Sequence, residues 1–176
     1  MLRAILVIVA LGCPVSLWAQ RVEIYPQVGG FLPSRLGGVV EIRKEGIYGV
    51  NAGVFITRKI EAEAHFGYIN HLNFAGFLSD QRAYVWSGLG GYHLGPLYAS
   101  AGLGGVTTSL TDDGSPYPER RQRQTFLAVS YGGGVKALRK WGPIGYRVDL
   151  RGRTLPHYYG FRFSWLEATT GVTFSF

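Results

Sequence analysis

The sequence is poor in cysteine, in charge and in long apolar runs, and each shortage removes a class of protein. Its single cysteine is Cys13. The chain beyond the first twenty residues therefore forms no disulfide, which excludes a small domain stapled by bridges. Charged residues make up only 16%, against roughly 25% in an average soluble domain. Apolar spacing at three and four residues is missing after residue 20, so a helical bundle is excluded. No segment beyond that point reaches the roughly 20 apolar residues that a membrane-crossing helix needs.

What the chain has instead is glycine, 26 residues of it, and 14% aromatics. The first residues stand apart. Arg3 gives a positive start, Ala4 to Gly12 is apolar, and Ser16-Leu17-Trp18-Ala19 ends in small residues, the layout of an export signal. The sequence thus predicts a signal peptide over 1–19 and one domain over 20–176. The alternatives at this end are an uncleaved anchor helix or lipidation at Cys13, whose preceding Ala10-Leu11-Gly12 is a poor processing site.

After the signal, apolar and polar residues alternate with period two, as in strands whose faces meet different surroundings. Ile60, Ala62, Ala64, Phe66 and Tyr68 share one face and Glu61, Glu63, His65 and Gly67 the other. Tyr146, Val148 and Leu150 oppose Arg147, Asp149, Arg151 and Arg153, and Leu166, Ala168, Val172, Phe174 and Phe176 oppose Glu167. Such runs predict eight strands over 21–32, 46–57, 59–69, 82–93, 96–107, 125–138, 143–154 and 164–176. Their lengths suit membrane-crossing strands, which need about 9 to 11 residues. The connections between them alternate, long at 33–45, 70–81, 108–124 and 155–163, and short at Thr57-Arg58, His93 to Pro96 and Arg139 to Pro143. Short turns on one side and long loops on the other are the habit of membrane barrels.

In hydrocarbon every backbone N–H and C=O needs an internal partner, so an all-strand span must close on itself. The expected fold is an all-β, closed, antiparallel up-and-down transmembrane barrel of about eight strands, with apolar residues outward. Aromatics at the two interfaces would be Trp141, Tyr92 and Tyr98 near the short turns, and Tyr68, Phe74, Phe77, Phe161, Phe163 and Trp165 near the long loops. The competing fold is a soluble lipocalin-like barrel, which would reverse the two faces.

An eight-stranded barrel is filled by its own side chains. The sequence therefore predicts an interior ion-pair network of Glu61, Glu63, Arg147, Asp149, Arg151, Arg153 and Glu167, joined by Lys136 and Glu23. In it Glu63 meets Arg147 from the opposite wall, and Glu167 lies level with Arg151 and Arg153. A structural plug is expected; a proton or ion relay is the functional alternative.

The glycine-rich runs Gly88-Leu89-Gly90-Gly91-Tyr92, Gly102-Leu103-Gly104-Gly105 and Gly132-Gly133-Gly134, with the ending Gly171-Val172-Thr173-Phe174-Ser175-Phe176, make the whole mature chain resemble the small outer-membrane barrels. The OmpA-type transmembrane domain and OmpX-type barrels are the familiar members. The resemblance implies a bacterial outer-membrane location, a monomer, surrounding lipid as partner, and recognition of the terminal Phe176 by the barrel-assembly machinery.

Two enzyme types use comparably small barrels. The His-x-Ser element of the lipid A deacylases is missing, because the residues two after His65, His71, His93 and His157 are Gly67, Asn73, Gly95 and Tyr159. His71, Ser79 and Asp80 in the second long loop echo a palmitoyltransferase only loosely. No catalytic residue, cofactor or metal is therefore expected, and Asp112-Asp113-Gly114 reads as a turn because the spaced ligands of a calcium loop are missing. Export argues against nucleic acid as the partner of a chain with net charge +7. Arginines of the third long loop, Arg120, Arg121 and Arg123, are the candidates for lipopolysaccharide phosphates, which guanidinium forks meet bidentately. The expected function is a non-enzymatic structural or surface-interaction barrel with its long loops as the contact region. The alternative is a narrow channel or a lipid-handling barrel.

Overall fold

A computed structural model describes residues 21–32, 35–36, 40–41, 46–72, 81–110, 123–158 and 160–176. The predicted signal peptide lies outside the described residues. Eight strands form the wall: β1 (Val22–Leu32), β4 (Gly46–Phe55), β5 (Ile60–Leu72), β6 (Gln81–Leu94), β7 (Leu97–Leu110), β8 (Gln124–Trp141), β9 (Ile144–Tyr158) and β10 (Phe161–Ser175). They close in the order β1-β10-β9-β8-β7-β6-β5-β4, with β1 antiparallel to both β4 and β10. Between β1 and β4 the short strands β2 (Arg35–Leu36) and β3 (Val40–Glu41) pair with each other. The closed antiparallel barrel expected from the alternation is the one found.

Closure comes with a stagger. Followed from partner to partner, Val22, Val54, Ala62, Gly90, Ala101, Tyr131, Gly152 and Leu166 lead around the wall to Leu32, ten residues further along β1. Eight strands with that shear tilt by about 40° and leave a backbone radius of about 8 Å. Inward side chains from facing strands therefore meet across the axis.

At one end the connections are tight. Gly95-Pro96 and Gly142-Pro143 turn β6 into β7 and β8 into β9. Gly95 and Gly142 stand at φ 64° and 69°, which the first central residue of such a hairpin requires, and proline supplies the fixed φ of the second. Between β4 and β5, the Thr57 hydroxyl accepts from the N–H groups of Lys59 and Ile60 at 3.2 and 3.0 Å, a side-chain-made turn.

Several boundaries differ from expectation, and β5 and β7 each run three residues into the expected long loops, to Leu72 and Leu110. β4 ends at Phe55, so its turn spans residues 56–59 rather than Thr57-Arg58 alone. β8 runs to Trp141, which narrows the next turn to Gly142-Pro143. The largest change is at the other end, where β9 and β10 extend through most of the connection expected over 155–163 and leave only 159–160 between them. Mixed residues such as Leu155, Pro156 and Tyr158 break the alternation there, yet the backbone ladder continues through a register shift between Phe161 and Phe163.

The outer face carries large apolar residues in the open, among them Ile24, Val50, Phe66, Trp86, Leu103, Leu127, Tyr131, Val148, Leu150 and Val172. An apolar band that encircles a barrel far exceeds the patches soluble monomers tolerate. Inside, at the long-loop end, Ile47, Ile69, Val85, Val106, Ala128, Leu155 and Phe163 pack into an apolar layer, continued by the Phe126–Tyr158 and Tyr158–Phe163 ring contacts at 4.7 and 5.2 Å. The interior is thus charged along most of its length and capped by hydrocarbon at one end.

Candidate functional site in the barrel lumen

Strand parity places the charged residues. On β5 and β9 the odd-numbered residues point inward, so Glu61, Glu63 and His65 face Arg147, Asp149, Arg151 and Arg153 from the opposite wall of the barrel. Every carboxylate whose side chain is described, Glu23, Glu61, Glu63, Asp149 and Glu167, is buried in this lumen.

Nearest the short turns, Lys136 reaches Glu23 Oε2 at 2.7 Å and both Glu61 oxygens at 2.9 Å. His93 Nε2 lies 2.7 Å from Glu61 Oε2, and Arg21 Nε 2.9 Å from Glu23 Oε1. The rings of Phe55 and Tyr98 flank the ammonium at 5.2 and 5.8 Å. A strongly hydrated charge has here exchanged its water for two carboxylates and two π faces, the compensation that a buried cation requires.

In the middle, Arg147 pairs with Glu63 across the axis. Its Nε donates to Asp149 Oδ1 and the Tyr98 hydroxyl, each at 2.8 Å, and Tyr98 donates to the same Asp149 oxygen. Arg151 closes the group, 3.1 Å from Glu63 Oε1 and 3.5 Å from Asp149 Oδ2. Tyr25 and Tyr98 rings cover the Arg147 guanidinium at 5.0 and 4.6 Å. Above this, Arg153 donates to Glu167 at 3.0 Å and to Ser130 at 2.9 Å, while Trp165 Nε1 donates to the same Glu167 oxygen at 2.7 Å. A neutral branch runs along the wall: Asn51 Nδ2 donates to Gln27 Oε1 at 3.0 Å, His65 Nδ1 to Asn51 Oδ1 at 2.6 Å, and Thr169 to Gln27 at 3.2 Å.

All seven residues proposed for the interior network thus face the lumen, and Glu63 with Arg147, and Glu167 with Arg153, form ion pairs there. Arg151 is the register neighbour of Glu167 but turns to Glu63 and Asp149 instead. Lys136 and Glu23 join at the short-turn end. The polar partners Tyr25, Gln27, Asn51, His93, Tyr98, Ser130 and Trp165 were not singled out for the lumen, although each has the inward parity of its strand.

Three aromatics expected in the interfacial belts are instead inside: Tyr98 is 7%, Phe163 1% and Trp165 5% exposed. Distance from a turn suggested the belt, but parity decides the face. Trp165 follows Glu167 inward, and the Tyr98 hydroxyl finds partners only among the lumen charges. Tyr92 does face outward, half exposed. Phe74 and Phe77 lie outside the described residues, as do the side chains of Trp141 and Phe161. Of the third-loop arginines, Arg120 and Arg121 lie outside the described residues. Arg123 is exposed, with its guanidinium carbon 5.8 Å from the Tyr84 ring centroid. His71 has no described side chain, and Ser79, Asp80 and the Asp112-Asp113-Gly114 turn lie outside the described residues.

Chemically, this lumen holds charges in place. Each carboxylate is engaged by a cation, and the apolar layer closes the long-loop end. No group of three or more His, Cys, Asp or Glu residues able to hold a metal is found among the described residues.

No protein-family model matches the chain, and no curated protein matches it in sequence. Solved structures do match in shape. The N-terminal β-barrel domain of Pseudomonas aeruginosa OprF aligns at TM-score 0.57 and 21% identity, over 89% of this chain and 97% of that one. Neisserial surface protein A aligns at 0.65 and 16%, over 89% and 97%. The attachment invasion locus protein Ail of Yersinia pestis aligns at 0.51 and 12%, over 88% and 98%. Near-complete coverage of both partners in each case, together with eight strands, an apolar exterior and a charged lumen, gives the conclusion that this chain has the fold of the small outer-membrane β-barrels.

Proposed function

We propose that the chain is a monomeric, non-enzymatic barrel of a Gram-negative outer membrane, with a structural or surface-interaction role carried by its long loops. The observation that carries this reading is the inverted polarity of the wall: described carboxylates are all inside, and a broad band of large apolar side chains is exposed outside. Such a surface is stable only where hydrocarbon surrounds it, and a closed barrel is the strand structure that hydrocarbon admits. The last residue fits the same reading. Phe176 exchanges backbone hydrogen bonds with Val22 at 2.9 and 3.3 Å, joining the two ends of the barrel, while its side chain is 70% exposed on the outer face.

In this reading the predicted signal over 1–19 directs export, the short turns face the periplasm and the long loops face outward. Arg120, Arg121 and Arg123 then stand at a leaflet rich in phosphorylated glycolipid, and lipopolysaccharide is the contact proposed for them. The test uses cysteine, which the chain has only at Cys13. A Ser115→Cys variant should react with a membrane-impermeant maleimide on intact cells, whereas Thr57→Cys should react only after the outer membrane is opened. Equal labelling of both sites in intact cells contradicts the reading.

A narrow conduit is the second reading. It is favoured by one observation: Arg147 Nη2, Arg151 Nη1 and Arg153 Nη2 are buried along the lumen without a partner among the described residues, where water could hydrogen-bond them. Conduction requires the apolar layer at the long-loop end to open.

A further inference from the structure

The exterior of the barrel is as one-sided in charge as its interior is balanced. Among residues with described side chains, Arg58, Lys59, Arg82, Arg123 and Arg162 are the exposed charges, and all are cations. Two of them stand together. Arg82 on β6 pairs in register with Ser109 on β7. Arg123 precedes β8 one step beyond the Thr108↔Gln124 pair, which brings it level with Ser109 from the other side. Arg82, Ser109 and Arg123 therefore form one row across three strands, its ends about 10 Å apart at Cα. The row faces outward, because the Arg123 guanidinium lies over the outward ring of Tyr84 and Arg82 is two residues from Tyr84 on the same strand. Arms of arginine length converge easily across that gap.

What lies beneath the row selects the ligand. The Tyr84 ring meets those of Tyr68 at 5.3 Å and Phe66 at 6.2 Å, tilted against both. Below them Trp86 and Leu127, 47% and 63% exposed, belong to the apolar band. Tyrosines between a polar row and an apolar band mark the height of lipid headgroups. Thr107 and Thr125, opposite Tyr84, share a hydrogen bond at 2.9 Å and keep the wall polar just under the row. A free anion gains nothing from the band, whereas a lipid with phosphate on its headgroup engages both.

We propose that the outer wall of β6, β7 and β8 at the long-loop end binds the phosphates of a membrane-embedded glycolipid, with Arg82 and Arg123 as the two forks and Ser109 as a hydroxyl donor between them. This rests on the outer-membrane reading and sharpens it, moving the contact from a loop to a rigid part of the wall. Guanidinium meets phosphate through paired, charge-assisted hydrogen bonds. The Tyr84 ring under Arg123 holds one fork in place before the ligand arrives.

The test refolds the full chain into phosphatidylcholine vesicles that contain a small fraction of doubly phosphorylated lipid A, and measures the lipid A retained on the barrel by native mass spectrometry. Wild type should retain about tenfold more phosphorylated than dephosphorylated lipid A, and R82A/R123A should lose about tenfold of that retention. R162A, which removes a cation on β10 away from the row, should stay within about twofold. Excess inorganic phosphate should not displace the lipid. Equal retention of the two lipid A forms by wild type overturns the proposal, and that arm stands even where the double variant fails to refold. So does an R162A loss as large as that of R82A/R123A, or full displacement by free phosphate. A wild type that shows no heat-shifted gel migration in these vesicles sinks the membrane reading itself, whereas a heat-shifted wild type indifferent to phosphate sinks only this site.

Discussion

Replacing Arg147 by methionine tests whether the lumen network stabilises the barrel or merely occupies it. Methionine keeps much of the volume and removes the charge. Arg147 is 1% exposed and serves Glu63, Asp149 and Tyr98 together. Its loss leaves Glu63 with Arg151 at 3.1 Å, and Asp149 with Tyr98 and a more distant Arg151 at 3.5 Å. Removing one partner of a buried pair costs about 3 to 5 kcal/mol, chiefly because the other charge remains in a low-dielectric site. Since Arg151 still serves Glu63, the lower part of that range, about 3 kcal/mol, is expected for R147M. Glu63→Gln leaves Arg147 with Asp149 and should cost a similar amount. The double variant removes both charges of the cross-lumen pair, so it should be more stable than the sum of the single losses by about 1 to 3 kcal/mol. Urea unfolding in lipid vesicles, followed by tryptophan fluorescence and extrapolated linearly to zero denaturant, gives all three values. An R147M loss below about 1 kcal/mol, or strict additivity in the cycle, refutes the claim that these charges support each other across the axis.

The glycines of the wall separate into two kinds. A Cβ on Gly102 would collide with the backbone of Gly88 and Leu89, whereas one on Gly88 meets nothing within 4 Å. Gly102→Ala should therefore cost about 1 to 3 kcal/mol by overpacking and Gly88→Ala less than about 0.5, read from the same unfolding curves. Arg153→Met should destabilise at least as much as R147M, because Arg153 is the cation paired with Glu167 among the described residues; an R153M barrel that unfolds at the wild-type urea midpoint contradicts this. Planar-bilayer recording of the wild type should show no sustained open level, since the lumen is crossed by ion pairs and capped by the Ile47–Ile69–Phe163 layer; a steady ohmic conductance would favour the conduit. Lipid A from cells with and without the protein should have the same acyl pattern by mass spectrometry, and a changed pattern would make the chain an enzyme.

Much of this fold was legible because a barrel wall has two very different sides. Wherever hydrocarbon faces one side and paired charges the other, as along residues 60–68 and 146–153, period two is unmistakable and the inward residues are named by parity alone. The alternation fades where both faces are apolar. Ile47, Ile69, Val85, Val106 and Leu155 turn inward at the long-loop end, and nothing in their composition separates them from the outer band, so the apolar cap went unforeseen. The extension of β9 and β10 into 155–158 and 161–163 was hidden because mixed residues such as Leu155, Pro156 and Tyr158 break the alternation there. Aromatic residues misled by position: Phe163 and Trp165 lie near a loop and resemble belt residues, although Glu167 on the same strand already fixes their parity as inward. Which charges meet depends on something no single strand carries. The Glu63–Arg147 pair was still legible by counting in from the short turns of two facing strands, but Arg151 deserts its register neighbour Glu167 because two carboxylates lie within reach on its other side. The Arg82–Ser109–Arg123 row likewise exists only once three strands are in register.

The most direct measurement for the account as a whole is the gel migration of the chain refolded into bilayers, loaded with and without boiling. A closed eight-stranded membrane barrel holds its hydrogen-bonded wall in detergent, so the unboiled sample should run as a compact band that shifts on boiling. Boiled and unboiled samples that run alike, from a preparation shown by circular dichroism to be rich in strand, would contradict the closed outer-membrane barrel on which everything above depends.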